Sequence, residues 1–99
     1  MKMPAFSVRD DAVGAFLPPF FVRSKGEAIR SFTDAVADPG HQFARHKPHY
    51  ILYAIGFFDD AGGVFIPTEP LRVISALEAV APDDAPVLEP APIRLPNIG

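Results

Sequence analysis

Residues Phe16 to Val22 read Phe-Leu-Pro-Pro-Phe-Phe-Val, and a helix-start signal follows at Ser24. This junction limits the fold more than any other part of the chain. Pro18 and Pro19 each lack a backbone N–H, so the segment is confined to a sheet edge or a packed loop. Ser24 with Glu27 three residues on forms a capping box. Ala28, Ile29, Phe32, Ala35 and Val36 then recur at the helical period and make one apolar stripe. Arg30, Thr33, Asp34 and Ala37 fall away from that stripe, and Pro39-Gly40 stops the helix. A helix over Ser24 to Ala37 therefore needs a sheet face to cover its stripe.

The rest of the chain supplies strands for that sheet. Ala5 to Arg9 alternates, with Phe6 and Val8 on one side, and predicts a short first strand broken by Asp10-Asp11 and Gly14. Residues 41–49 read as a loop. Tyr50 to Phe58 is the strongest strand, and its unbroken apolarity implies burial on both faces or an interface. Asp59-Asp60-Ala61-Gly62-Gly63 is a hairpin turn, and Val64 to Pro67 returns as the partner strand. Leu71 to Ser75 suits a further strand ending in a short helical turn. The expected fold is α+β: a small, mainly antiparallel sheet with one amphipathic helix packed across it. The expected core is Phe6, Phe20, Ile29, Phe32, Val36, Ile51, Tyr53, Ile55 and Val73.

From Ala81 the composition changes. Five of the last nineteen residues are proline, and Pro82, Pro86 and Pro90 are four apart. Such a stretch favours extended polyproline-like chain. The expected organisation is one domain over residues 1–80 and a proline-rich acidic tail over 81–99. A domain of about 80 residues buries only roughly 60 % of its unfolded surface. The chain has no cysteine, so no disulfide supports it, which fits a reducing cytoplasm. Dimerisation is the cheapest remaining source of stability. The apolar strand Tyr50 to Phe58 points the same way, to a homodimer. No apolar run reaches membrane-spanning length, and the N-terminus lacks the apolar stretch of a signal peptide.

The net charge of −3 is unevenly placed. Residues 1–60 hold seven Lys/Arg against seven Asp/Glu, while residues 61–99 hold two against five. The segment 23–50 has five Lys/Arg against three Asp/Glu, plus all three histidines. Arg45 and Lys47 suit phosphates, and Phe43 and Tyr50 suit unpaired bases. Arg23, Lys25 and Arg30, at the start and flank of the helix, would extend one basic face. A solvated loop with its aromatics folded onto the core is the plainer alternative. His41, His46 and His49 match no zinc spacing, so no metal or other cofactor is expected. Asp10-Asp11 and Asp59-Asp60, each near glycine, read as turn chemistry. No nucleophile elbow or phosphate loop is present, so no enzyme activity is expected. In the tail, Val87, Leu88, Ile93 and Leu95 are candidate partner-binding residues, and Asp83, Asp84 and Glu89 could compete with DNA for the basic face.

Several stretches together resemble the small nonstructural protein of gokushoviruses, single-stranded DNA phages of the microvirus group (Microviridae). They are Ser7-Val8-Arg9-Asp10, Pro19-Phe20-Phe21, Ala28-Ile29-Arg30-Ser31-Phe32, and Tyr53-Ala54-Ile55-Gly56 leading into Asp59-Asp60. The resemblance covers roughly residues 1–75. It implies a phage nonstructural protein made in the host bacterial cytoplasm and absent from the mature virion. The implied work is non-catalytic binding of single-stranded DNA during genome replication or packaging. The competing expectation is a protein-interaction adaptor for the replication initiator or procapsid, acting through the tail.

Overall fold

The structure is a computed structural model and describes residues 1–79. The chain runs β1 (Lys2–Asp10), β2 (Ala15–Phe16), β3 (Phe20–Phe21), α1 (Lys25–Ala37), α2 (Gln42–Arg45), a 3-10 turn (Lys47–His49), β4 (Tyr50–Asp59) and β5 (Val64–Ser75). All strand pairs are antiparallel, in the order β2-β1-β4-β5, with β3 also on β1. The sheet curls into a half-barrel with the helices on one side. The expected tail, 81–99, lies outside the described residues.

The proline-rich segment is a sheet edge in two pieces. Ala15–Phe16 pairs with Arg9 and Asp10, and Phe20–Phe21 pairs with Ala5 and Phe6. Pro18 and Pro19 fall in the gap between them, where no donor is needed. Leu17 N–H bonds the Val8 carbonyl at 2.8 Å and Val22 N–H bonds the Pro4 carbonyl at 3.2 Å, so the edge stays fastened on both sides of the gap.

Helix α1 follows as expected. Ser24 Oγ accepts from Glu27 N–H at 3.2 Å, and the Glu27 carboxylate accepts from Arg23 N–H at 2.9 Å. Ala28, Phe32 and Val36 are buried against Phe6, Val8 and Leu52, with Ile29 and Ala35 half-buried beside them. Residues 41–49 differ from the expected loop. They form α2, capped by His41 Nδ1 accepting from Phe43 N–H at 3.0 Å, and then the 3-10 turn. Four residues are too few for a helical period to show in a sequence.

The expected core needs a correction in β4. Tyr50, Leu52 and Ala54 face the helix, while Ile51 and Tyr53 lie half-buried on the opposite face. Ile55 has no Cα partner on β1, where the register jumps from Ala54 to Gly56. An unbroken apolar run carries no alternation, and a one-residue shift moves every side chain to the other face. Strand β5 is also longer than Val64 to Pro67. It continues through Pro67 and Pro70 to Ser75, with Thr68 to Pro70 opposite Ile55 alone. As the last strand of the sheet it tolerates both prolines.

Candidate nucleic-acid interface

The expected base platforms belong to the core. Phe43 is 8 % exposed and Tyr50 is 5 % exposed. Their ring centroids are 4.6 Å apart, with Phe32 5.5 Å and His41 4.4 Å from Phe43. Neither ring has a face left for a base. The reason is geometric: α2 and the start of β4 pack beside α1, which places Phe43 between Phe32 and Tyr50. Arg23, Lys25, Arg30 and Arg45 are exposed and Lys47 is half-buried. Arg45 Nη1 donates to the Gly40 carbonyl at 2.8 Å and braces the α1–α2 connection. All five cations sit on or beside the helical layer. Val87, Leu88, Ile93 and Leu95 lie outside the described residues.

The carboxylate pairs serve turns. Asp10 accepts from Ala12 N–H at 3.0 Å and Asp11 pairs with Arg9 at 2.8 Å. Asp59 accepts from Ala61 N–H at 3.0 Å, and Asp60 pairs with the N-terminal ammonium at 2.8 Å. Among the described residues, no group of three or more His, Cys, Asp or Glu is placed to hold a metal ion.

The aromatic surface lies on the other side of the sheet. Strand β1 sends Phe6 and Val8 toward α1, so Ala5 and Ser7 line the opposite face. These two small residues form a floor that is itself buried. Ser7 Oγ donates to the Leu17 carbonyl at 2.6 Å, which satisfies its hydroxyl. Larger rings on the neighbouring strands rise beside this floor. Phe16 of β2 meets Tyr53 of β4 edge-on at 5.2 Å between centroids. Phe21 of β3 meets Phe58 of β4 at 5.6 Å. Phe65 of β5 is the cross-strand partner of Phe58. Phe16, Phe21 and Phe65 are 39 %, 44 % and 41 % exposed, while Tyr53 and Phe58 are half-buried.

Two arginines share this face. The Arg9 guanidinium lies 5.5 Å from the centroid of the Phe16 ring, and Arg9 is the cross-strand partner of Phe16. Arg72 is the cross-strand partner of Tyr53. Each is held in place by a carboxylate, Arg9 by Asp11 and Arg72 by Glu78, the latter at 2.9 Å. Exposed pairs of this kind contribute only about 0–1 kcal/mol. On the helix side, burial and then the charge of Asp10 raise the Tyr50 pKa above its ordinary value.

The sequence held a signal for this face. Phe20-Phe21 and Phe57-Phe58 are adjacent doublets in strands. Neighbouring strand residues point to opposite faces, so one ring of each doublet must leave the helix-covered side. Phe21 and Phe58 are those rings, and they meet. The family model described as "Phage ORF5 protein" matches residues 3–79. No curated protein and no solved structure matches the chain.

Proposed function

The chain belongs to the Phage ORF5 protein family, and from that premise we propose that it binds single-stranded DNA, without catalysis, during replication or packaging of a phage genome. The finer reading places it among the gokushoviruses, as a nonstructural protein of the host bacterial cytoplasm that stays out of the mature virion. The observation that carries the DNA reading is the uncovered sheet face. It holds two ring pairs, Phe16–Tyr53 and Phe21–Phe58, with Arg9 and Arg72 among them.

An aromatic ring accepts the face of any base, worth about 1–3 kcal/mol per stacked base. Duplex bases already cover each other's faces, so this surface prefers a single strand. Because every base has such a face, binding is tolerant of sequence, which suits coating a genome. Arg9 and Arg72 supply phosphate contacts beside the rings. Arg23, Lys25, Arg30, Arg45 and Lys47 act in this reading as a separate phosphate-attracting surface on the helix side.

A homodimer completes the proposal. Phe57 and Val64 are exposed where the helix side of the β4–β5 hairpin extends past the core cluster. A second copy covering this patch would add the apolar burial that so small a domain lacks.

The test is fluorescence anisotropy of a labelled oligothymidylate at low and moderate salt, beside a duplex control. The expected result is single-strand preference, with affinity falling at a log-log salt slope of roughly −0.7 per phosphate contact. Phe16→Ala with Tyr53→Ala, checked for folding by circular dichroism, is expected to weaken binding at least tenfold, about 1.4 kcal/mol. Affinity within about twofold of the parent protein in that double variant would refute the site.

A further inference from the structure

We infer that the acidic C-terminal segment, residues 80–99, is an internal competitor for the open sheet face, and that nucleic acid binds there by displacing it. This rests on the DNA reading of that face. The first observation is a contact in place. Glu78 is the last acidic residue before the tail, and its Oε1 accepts from Arg72 Nη2 at 2.9 Å. The same oxygen accepts from Ser75 N–H at 2.9 Å, and Ser75 Oγ accepts in return from Glu78 N–H at 3.2 Å. A carboxylate of the chain's own C-terminal region thus already occupies an arginine of the face.

The second observation is where the chain leaves the domain. Ala79 is buried, and its N–H bonds the Ser75 carbonyl at 2.9 Å. Ala76 N–H bonds the Tyr50 carbonyl at 2.9 Å. The exit is therefore fixed at the end of β5, beside the start of β4, with Ala76 and Ala79 packed in the helix-side core and Glu78 reaching Arg72 of the open face. Twenty residues remain beyond it. A chain of twenty residues can reach about 60 Å at polyproline spacing, against about 33 Å for a ten-residue strand such as β4. The segment is long enough to cross the whole face.

The third observation is chemical match. Residues 80–99 carry Asp83, Asp84 and Glu89 against Arg94, together with Val87, Leu88, Ile93 and Leu95. Carboxylates suit Arg9 and Arg72, and the apolar side chains suit the rings between them. Proline restricts the backbone freedom of any chain that contains it, so laying a proline-rich sequence on a surface costs less conformational entropy than for a flexible one.

The test uses the full chain with Asp83→Asn, Asp84→Asn and Glu89→Gln together, titrated against the labelled oligothymidylate at about 50 mM and 300 mM salt. A control, Glu69→Lys, exposed in β5 and outside both the ring pairs and the helix-side cations, changes net charge by two without touching the tail. The expected result is at least fivefold tighter binding by the triple variant at low salt, shrinking at high salt, with the control within twofold of the parent. Binding by the triple variant where the parent shows none supports the inference equally. Equal, measurable binding by parent and triple variant overturns the inference and leaves the DNA reading intact, as does a gain matched by the control. No binding by any of the three at tens of micromolar overturns both, and leaves the adaptor role as the surviving alternative.

Discussion

Gly56 is where one added methyl group tests the β4–β5 geometry most directly. Its φ is 150°. A Cβ at this position would lie 2.4 Å from the Ile66 carbonyl oxygen, 3.0 Å from Pro67 Cα and 3.0 Å from Cζ of Phe65. Two of those three neighbours are backbone and cannot rotate away, so the strands would have to part. The backbone conformation costs roughly 1–3 kcal/mol for a residue with a side chain. Overpacking adds roughly 1–3 kcal/mol, which gives about 2–6 kcal/mol for Gly56→Ala.

Gly63→Ala is the matched comparison. Its φ is 68° and no heavy atom lies within 4 Å of its would-be Cβ, so only the conformational cost of about 1–2 kcal/mol applies. A domain of 79 residues has a total stability of roughly 4–12 kcal/mol. A loss of about 3 kcal/mol lowers a urea midpoint by roughly 1–3 M. The assay is equilibrium urea unfolding followed by far-ultraviolet circular dichroism, because the chain has no tryptophan. Gly56→Ala should fall well below Gly63→Ala. Equal midpoints, or a Gly56→Ala loss under about 0.5 kcal/mol, would refute the close approach of β5 at this position.

Two further outcomes follow from the same structure. Phe43→Ala removes a core ring, so it should cost about 3–5 kcal/mol of stability; a variant as stable as the parent would return Phe43 to the surface. Tyr50 binds its proton more tightly in the fold than in the unfolded chain, through burial first and Asp10 second. Its stabilising contribution is therefore complete below its ordinary pKa of about 10 and is lost as the pH rises through the higher folded value. Urea midpoints taken between pH 8 and 11 should decline in the parent and decline less in Tyr50→Phe; parallel curves would contradict this assignment.

What the sequence determined by itself is local. Ser24, Glu27 and Pro39-Gly40 bound α1, because a cap and a stop act through neighbours in the chain. The apolar stripe of α1 identified its buried side, since the helical period places those residues on one face whatever lies opposite. Pro18-Pro19 confined that segment to a sheet edge or a packed loop, because a missing N–H is a property of the residue alone. What only the tertiary structure decided is which face each strand turns to the helix and which aromatics remain uncovered. The run Tyr50 to Phe58 is apolar at almost every position, so its burial depended on pairing with Phe6 and Val8 across β1. Phe43 and Tyr50 look like surface platforms beside Arg45 and Lys47, yet α2 folds them onto Phe32. The ring pairs Phe16–Tyr53 and Phe21–Phe58 join residues 37 positions apart in the chain. Such contacts exist only once antiparallel pairing has set the register, because adjacency across a sheet is a relation between strands that no single segment contains.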